Sequence, residues 1–229
     1  MAAETGDFRL YEQPFEVDRF PQGVRIRWVE SRSHRTDTAT KEGGMMTKIL
    51  IPYGTTEGQT AKIAEVIADV IRGHGDNVEA VDIRDAPDRI PDAYDAVIIG
   101  APIHMGRHDK RVVKFVQQNR DLLDRLPSAF FSVSLAAHGD TEEAEGYVGR
   151  FEQQTGWRPA TIALFSGALL YTHYGFVKRH IMKKIAHDKP GHLGTDLSRD
   201  YVYTEWDGVK QFAEDFLTDL VADANRPTD

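Results

Sequence analysis

From Lys48 onward, short apolar runs alternate with amphipathic stretches, the pattern of a parallel sheet covered on both faces by helices. Residues 48–53 (KILIPY) predict a first strand. In residues 60–73, Ile63, Ala64, Ile67, Val70 and Ile71 recur at helical spacing and predict an amphipathic helix. Residues 77–83 predict a second strand and 96–100 (AVIIG) a third, whose wholly apolar run places it centrally in the sheet. A helix is expected over 110–118, a fourth strand over 129–135, a helix over 142–155 and a fifth strand over 161–170. The last helix is expected over 205–222, with Thr204 as cap and Asp207 as first-turn acid. The expected class is α/β, a doubly wound parallel sheet of order 2-1-3-4-5 with helices on both faces. Such a sheet opens its ligand crevice at the carboxyl ends of the first and third strands, where the order reverses. The functional loops should therefore follow Tyr53, Gly100 and Leu135.

Residues 1–44 break this pattern. Phe8, Tyr11, Phe15, Phe20, Ile26 and Trp28 show neither helical nor strand period, and residues 31–44 are polar and charged, so the segment reads as a poorly ordered arm. Two origins stay open for it. Lys41-Glu42-Gly43-Gly44 before Met45-Met46 is what a purine-rich ribosome-binding sequence ahead of start codons would encode, so that translation begins at Met45 or Met46; otherwise the arm is a genuine flexible extension.

Composition narrows the chemistry. With 229 residues and 41% apolar content, the chain suits one well-buried core plus an extension. It has no cysteine, which excludes disulfides, thiolate metal sites, Fe–S clusters and cysteine nucleophiles, so redox chemistry must come from a bound cofactor. No metal ligand set is expected. A formal charge of -8 argues against broad nucleic-acid binding. No apolar stretch nears the roughly 20 residues that span a bilayer, and the first 44 residues carry charges throughout, so neither a membrane span nor a secretory leader is expected.

The segment joining the first strand to the first helix, Tyr53-Gly54-Thr55-Thr56-Glu57-Gly58-Gln59-Thr60, has the parts of a phosphate site. Glycines let successive N–H groups converge, the helix start adds its positive dipole end, and the hydroxyls of Thr55, Thr56 and Thr60 donate further bonds. Without a loop lysine, a G-x-x-x-x-G-K motif or G-x-G-x-x-G, a nucleoside triphosphate and a dinucleotide fit poorly. A single phosphate monoester such as that of FMN fits better. Glu57 brings a negative charge to this place, so its side chain should turn outward while its backbone N–H serves the ligand. A receiver domain shares the strand order but needs acids where this chain has Pro52-Tyr53-Gly54.

This loop resembles the hydroxyl-rich S/T-x-T-G-x-T segment of the flavodoxin superfamily, with Glu57 in place of the usual third hydroxyl. The likeness continues through Val97-Ile98-Ile99-Gly100-Ala101 with Ile103 and Gly106, Pro127-Ser128-Ala129-Phe130 with Ser132-Val133, and Trp157-Arg158-Pro159. It also includes Gly167-Ala168-Leu169 with Tyr171, and Tyr203-Thr204 with Trp206. Together these resemble the quinone-dependent protoporphyrinogen IX dehydrogenases of bacterial haem synthesis, over roughly residues 47 to 220. The resemblance implies FMN, a porphyrinogen donor oxidised in three two-electron steps, and a membrane quinone as acceptor. It further implies a cytoplasmic enzyme at the inner face of the cell membrane. A non-catalytic flavodoxin-type electron carrier and an FMN-dependent quinone reductase remain the alternatives.

By position, Ala101, Pro102, Ile103, His104, Met105 and Gly106, and Leu135, Ala136, Ala137, His138 and Gly139, should flank the flavin ring, the small residues allowing close backbone approach. Neither loop has an aromatic residue between Ala101 and Asp109 or between Ala136 and Gly146, while His104, Arg107, His108, Lys110 and Arg111 face one acid, Asp109. Such positive surroundings suit an enzyme that attracts carboxylate-bearing substrate, with His104 and Arg107 as candidates to tune the flavin or hold substrate. Lys110 and Arg111 read as the solvated start of a helix, and a structural hydrogen bond is the alternative role for His104.

Residues 171–192 hold five basic residues against Asp188, a charge of +4 in a chain totalling -8. A helix over 176–186 would set Val177, Ile181, Met182 and Ile185 opposite Arg179, His180, Lys183 and Lys184. This basic insertion, around 171–200 of a domain spanning 45–229, is expected to meet an anionic membrane through Lys178, Arg179, Lys183 and Lys184, with Tyr171, Tyr174 and Phe176 at the interface. Association into a homo-oligomer is left open.

Overall fold

The computed structural model describes residues 24–28 and 46–224. The main sheet contains β1 (Val24–Trp28), β2 (Lys48–Tyr53), β3 (Asn77–Asp82), β4 (Ala96–His104), β6 (Ser128–Ser134) and β7 (Thr161–Ser166). Its order is β1-β7-β6-β4-β2-β3, and β2, β3, β4, β6 and β7 run parallel. Counted from Lys48 this is the order 2-1-3-4-5, as the pattern predicts. Helices α1 (Gln59–Gly73) and α5 (Trp206–Ala224) share one face, and α2 (Lys110–Leu123) and α3 (Thr141–Thr155) the other.

The continuous apolar runs follow from burial on both faces. Ile49 and Ile51 of β2, Ile98 of β4, Phe131 of β6 and Phe165 of β7 pack towards α1 and α5. Their alternating neighbours Leu50, Val97, Ile99, Phe130 and Leu164 pack towards α2 and α3. Each such side chain contributes about 1.5–3 kcal/mol by leaving water. Gly100, at the end of the predicted third strand, is required by its neighbour: a Cβ there would lie 2.2 Å from Cζ of Phe131.

Four expectations need correction. Val24–Trp28 is a strand, antiparallel to β7 with Val24 opposite Phe165 and Trp28 opposite Thr161, so this part of the arm extends the sheet. V-R-I-R-W is in fact strict alternation, hidden within a longer segment without period. The other residues of the arm, and Met45 of the two proposed start methionines, lie outside the described residues. The third strand runs on past Gly100 to His104. Helix α2 continues beyond Gln118 because its polar Asn119 is buried; its Oδ1 accepts from Ile90 N at 2.8 Å and its Nδ2 donates to Asp88 O and Phe115 O. Finally, the predicted fifth strand divides at Gly167, beyond which β8 (Ala168–Leu169) leaves the sheet to pair with β9 (Tyr201–Val202).

Between β8 and β9 lies the insertion. A short 3-10 turn over Tyr171–His173 leads to α4 (Phe176–Asp188), and an extended stretch returns to β9. Leu169, Leu170, Tyr171, Tyr174, Ala186 and Leu193 give this lobe an apolar core of its own. The Tyr171 hydroxyl donates to Gly194 O at 2.9 Å, and Gly194 N donates to the Tyr203 hydroxyl at 2.6 Å. Among the described residues no helix is long and apolar enough to cross a bilayer.

Candidate functional site

Loops at the carboxyl ends of β2, β4 and β6 meet at the switch point of the sheet. Gly54 N donates to Gly100 O at 2.9 Å, tying the first loop to β4. The Thr55 Oγ1 accepts from Gly58 N at 3.0 Å, which closes the turn and leaves the threonine O–H free to donate outward. Gly58 stands at the N-cap of α1 with φ +87°, and no side chain caps the helix. The first N–H groups of α1 thus keep their donor capacity, with no acid in the first turn to compete for it.

Behind this turn Gln59 is buried and its Nε2 donates to Thr204 Oγ1 at 2.8 Å, whose hydroxyl donates to Ser166 O at 2.6 Å. That chain links the loop to the end of β7 and the start of α5. Among the described residues Gln59 Oε1 is a buried acceptor with no partner. Glu57 turns away from the helix start: its carboxylate receives Lys178 Nζ and the Tyr174 hydroxyl, each at 2.5 Å.

The second loop is a hairpin. Beyond Gly100, the partner of Tyr53 at the end of β2, β4 continues four residues and folds back as β5 (Arg107–His108), pairing His104 with Arg107 and Ile103 with His108. Met105 (φ +51°) and Gly106 (φ +75°) make the turn, both left-handed as a two-residue hairpin of this hand requires. An extended strand of that length carries His104 about 13 Å past Gly100 and the end of β2. Both side chains are exposed.

The third loop is a 3-10 turn over Ala136–His138, with Ala137 N donating to Ser134 Oγ at 3.2 Å. The insertion covers it. The His138 ring lies 4.4 Å from that of Tyr203, and this burial lowers its pKa while Glu205 opposes the shift. Backbone meets backbone where the two segments cross: a Cβ on Gly139 would stand 2.6 Å from Gly191 Cα, and one on Gly191 would stand 2.3 Å from His138 O. The Lys189 ammonium pairs with Glu143 of α3 beside this crossing.

A flavodoxin-domain family model matches residues 50–196. Protoporphyrinogen IX dehydrogenase (quinone) of Leishmania major is 34% identical over 184 residues, 79% of each chain. The protein of that name from Escherichia coli K12 is 33% identical over 177 residues, 75% of this chain and 97% of the relative. The chain belongs to the flavodoxin-domain family. Its membership and these relatives make it an oxidoreductase of the flavoprotein class. Among solved structures, oxidised flavodoxin 1 from Bacillus cereus aligns at 18% identity and TM-score 0.45, over 75% of this chain and 98% of that one.

Within this flavodoxin domain the predicted site residues divide. Thr55, Thr56, Glu57, Gly58, Gln59 and Thr60 sit together at the helix start, but Gln59 and Thr60 are buried, so the Gln59 side chain serves Thr204 and its backbone alone faces the cradle. Ala101 and Pro102 are buried within β4, Ile103 is half-buried, and His104, Met105 and Gly106 form the exposed turn, so this wall is a strand and hairpin and not a loop. Leu135 and His138 are half-buried, Ala136 and Ala137 buried, and Gly139 exposed.

The positive cluster around the hairpin is smaller than its composition implies. His108 is buried between Phe130 and Phe151 with Nε2 3.0 Å from Ser132 Oγ, and burial holds its pKa down at about 3, so it is neutral. Asp109 caps α2 by accepting from Arg111 N and pairs with the Arg111 guanidinium at 2.7 Å. Arg107 and Lys110 remain as exposed cations, with the exposed His104 paired to Arg107 across the hairpin.

The insertion also departs from expectation. Lys178 and Arg179 are half-buried and make contacts within the protein, Lys178 with Glu57 and Arg179 with Tyr174 O. Tyr171 and Tyr174 belong to the core of the lobe. Sequence reasoning missed Tyr174, Lys178, Tyr203 and Thr204 as neighbours of the site, because their partners lie more than a hundred residues away for three of the contacts. A separate cavity of about 300 Å³, lined by Arg89, Asp92, Asn119 and Arg125 among others, lies at the amino ends of the strands, away from these loops.

Proposed function

We propose that this domain binds FMN and oxidises protoporphyrinogen IX to protoporphyrin IX, passing electrons to a membrane quinone at the cytoplasmic face. One observation carries the cofactor half: a helix start with a left-handed glycine, no side-chain cap and flanking threonine hydroxyls, at the switch point of the sheet. The substrate half rests on the names of relatives that are a third identical over most of the chain.

The N–H groups after Gly58 and the hydroxyls of Thr55 and Thr56 would hold the phosphate. Residues 101–106 and 135–139 would flank the ring. Bound there, FMN supplies the two-electron acceptor chemistry that no side chain of this cysteine-free protein offers. His104 and Arg107, paired across the hairpin and exposed, suit the carboxylates of a porphyrinogen and would hold the substrate against the ring. Protoporphyrinogen IX and a menaquinone analogue mixed with the FMN-loaded protein should yield porphyrin fluorescence under anaerobic conditions. Loaded protein that bleaches on reduction yet never forms porphyrin would instead mark an electron carrier or a quinone reductase.

The membrane contact we assign to the outward stripe of α4. Phe176, Val177 and Ile181 are 79%, 70% and 54% exposed. Exposed Lys183 and Lys184 stand two turns along from Phe176 and Val177 on the same side of the helix, and Lys184 one turn from Ile181. Apolar groups and cations on one face suit an anionic bilayer, at about 1 kcal/mol per basic residue near the surface. Wild-type protein should float with anionic liposomes in a salt-sensitive manner, and Phe176→Ser with Lys183→Ala and Lys184→Ala should weaken this by roughly tenfold or more. Equal flotation of the variant would remove α4 as the contact.

A further inference from the structure

Glu57 sets a negative charge in a turn otherwise made of donors, and a phosphate monoester placed there would carry nearly two more. Like charges at such range oppose binding unless the carboxylate is neutralised or turned away. The insertion does both. Lys178 Nζ reaches Glu57 Oε1 and the Tyr174 hydroxyl donates to Oε2, both at 2.5 Å. Lys178 Nζ also stands 4.5 Å over the Tyr174 ring, a cation–π contact that fixes the ammonium between ring and carboxylate. Tyr174 is itself anchored: it is buried in the lobe core and its oxygen accepts from Leu170 N at 3.2 Å. The latch joins residues 117 and 121 positions apart, so it ties the insertion to the phosphate turn and belongs to neither alone.

We propose that Lys178 is a positioning residue for the phosphate end of the cofactor, acting through Glu57. It cancels the charge of that carboxylate and, with Tyr174, holds it off the helix start, so that the turn accepts a dianion. The proposal rests on the FMN reading. It makes the insertion part of cofactor selection, distinguishing a phosphorylated flavin from the same ring and side arm without phosphate.

Titrating apoprotein with FMN and with riboflavin, by quenching of flavin fluorescence at low ionic strength, separates the roles. Lys178→Met is expected to weaken FMN by about fivefold, the size of a partly exposed charge effect, and to leave riboflavin unchanged. Adding Glu57→Gln to Lys178→Met should return FMN affinity to the wild-type value, Lys178→Arg should keep most of it, and added salt should shrink the difference. FMN binding by Lys178→Met as tight as wild type, parallel loss of both flavins, or failure of Glu57→Gln to restore binding would each overturn the proposal. Wild-type protein that takes up no FMN would instead remove the cofactor reading beneath it.

Discussion

Lowering the pH from 6.5 towards about 3 is expected to cost the folded chain several kcal/mol through His108 alone. This ring sits on β5, the return strand of the hairpin, yet it points into the core: Phe130 and Phe151 lie 5.4 and 4.9 Å from it, and Ser132 is its hydrogen-bond partner. Burial is the main force on its pKa, with Arg150 adding repulsion, and together they bring it to about 3 from 6.5. The folded state therefore prefers the neutral ring, and the unfolded chain takes up the proton first. The stability His108 contributes is complete above pH 6.5 and is lost progressively as the pH falls from there to about 3. At about 1.4 kcal/mol per pH unit between 6.5 and about 3, roughly 5 kcal/mol is the most this one group can remove. Asp82 and Asp109, both held below the usual carboxylate value by Arg84 and Arg111, add their own loss in acid, but only below the unfolded carboxylate pKa of 3.8. Urea unfolding between pH 6.5 and about 5.5, above the 4.5 at which unfolded Glu143 takes up its proton, thus isolates the histidines. His138 shifts the same way and remains in the comparison protein. His108→Phe should lose about one proton's worth of slope in that window, while the unpaired Ser132 hydroxyl lowers its stability by an offset that does not vary with pH. Identical slopes for the two proteins would mean that His108 is protonated in the fold.

That histidine also shows what the sequence could and could not convey. The sheet order and the first turn of the candidate site were legible because both are written locally: continuous apolar runs name the central strands, and Gly-Thr-Thr-Glu-Gly-Gln-Thr after such a run names a strand-to-helix turn. Composition around residues 104–111 was equally visible but misleading, since charge counts do not say which way a side chain points. Once residues 103–104 pair with 107–108, alternation sends His108 inward and Arg107 outward. The signal for the hairpin was present in Met105-Gly106 followed by two residues matching two before, a turn dipeptide weaker than Asn-Gly. The strand Val24–Trp28 likewise carried its alternation in five residues, too few to stand out from an aperiodic arm. Nothing local could have shown that Lys178 turns to Glu57 or that Gln59 turns to Thr204, because those contacts exist only after the insertion and β7 have come to the carboxyl edge of the sheet. The basic helix was thus correctly located, while the contacts of Lys178 with Glu57 and of Arg179 with Tyr174 O went unseen.

Gly58→Val is expected to weaken FMN binding by roughly thirtyfold while the apoprotein stays folded. Gly58 takes φ +87° at the point where the chain turns from the threonine loop into α1. A side chain is not excluded for want of room: among the described residues nothing lies within 4 Å of a Cβ built there. The obstacle is the backbone itself, because an L-residue in the left-handed region costs about 1–2 kcal/mol, and a β-branched one more. With open space around it, a substituted turn in the free protein can relax to negative φ and escape most of that strain. Relaxing breaks the Gly58 N to Thr55 Oγ1 bond and swings the N–H groups off a common point, so the phosphate must restore the strained form in order to bind. The cost therefore falls on affinity, and about 2 kcal/mol corresponds to the thirtyfold given. The order across substitutions is the sharper test: Asn, which tolerates the left-handed region, should bind better than Ala, and Ala better than Val, with apoprotein melting temperatures alike. Affinities following side-chain volume, with Asn below Ala, would place the difficulty in packing and remove the role of the left-handed turn.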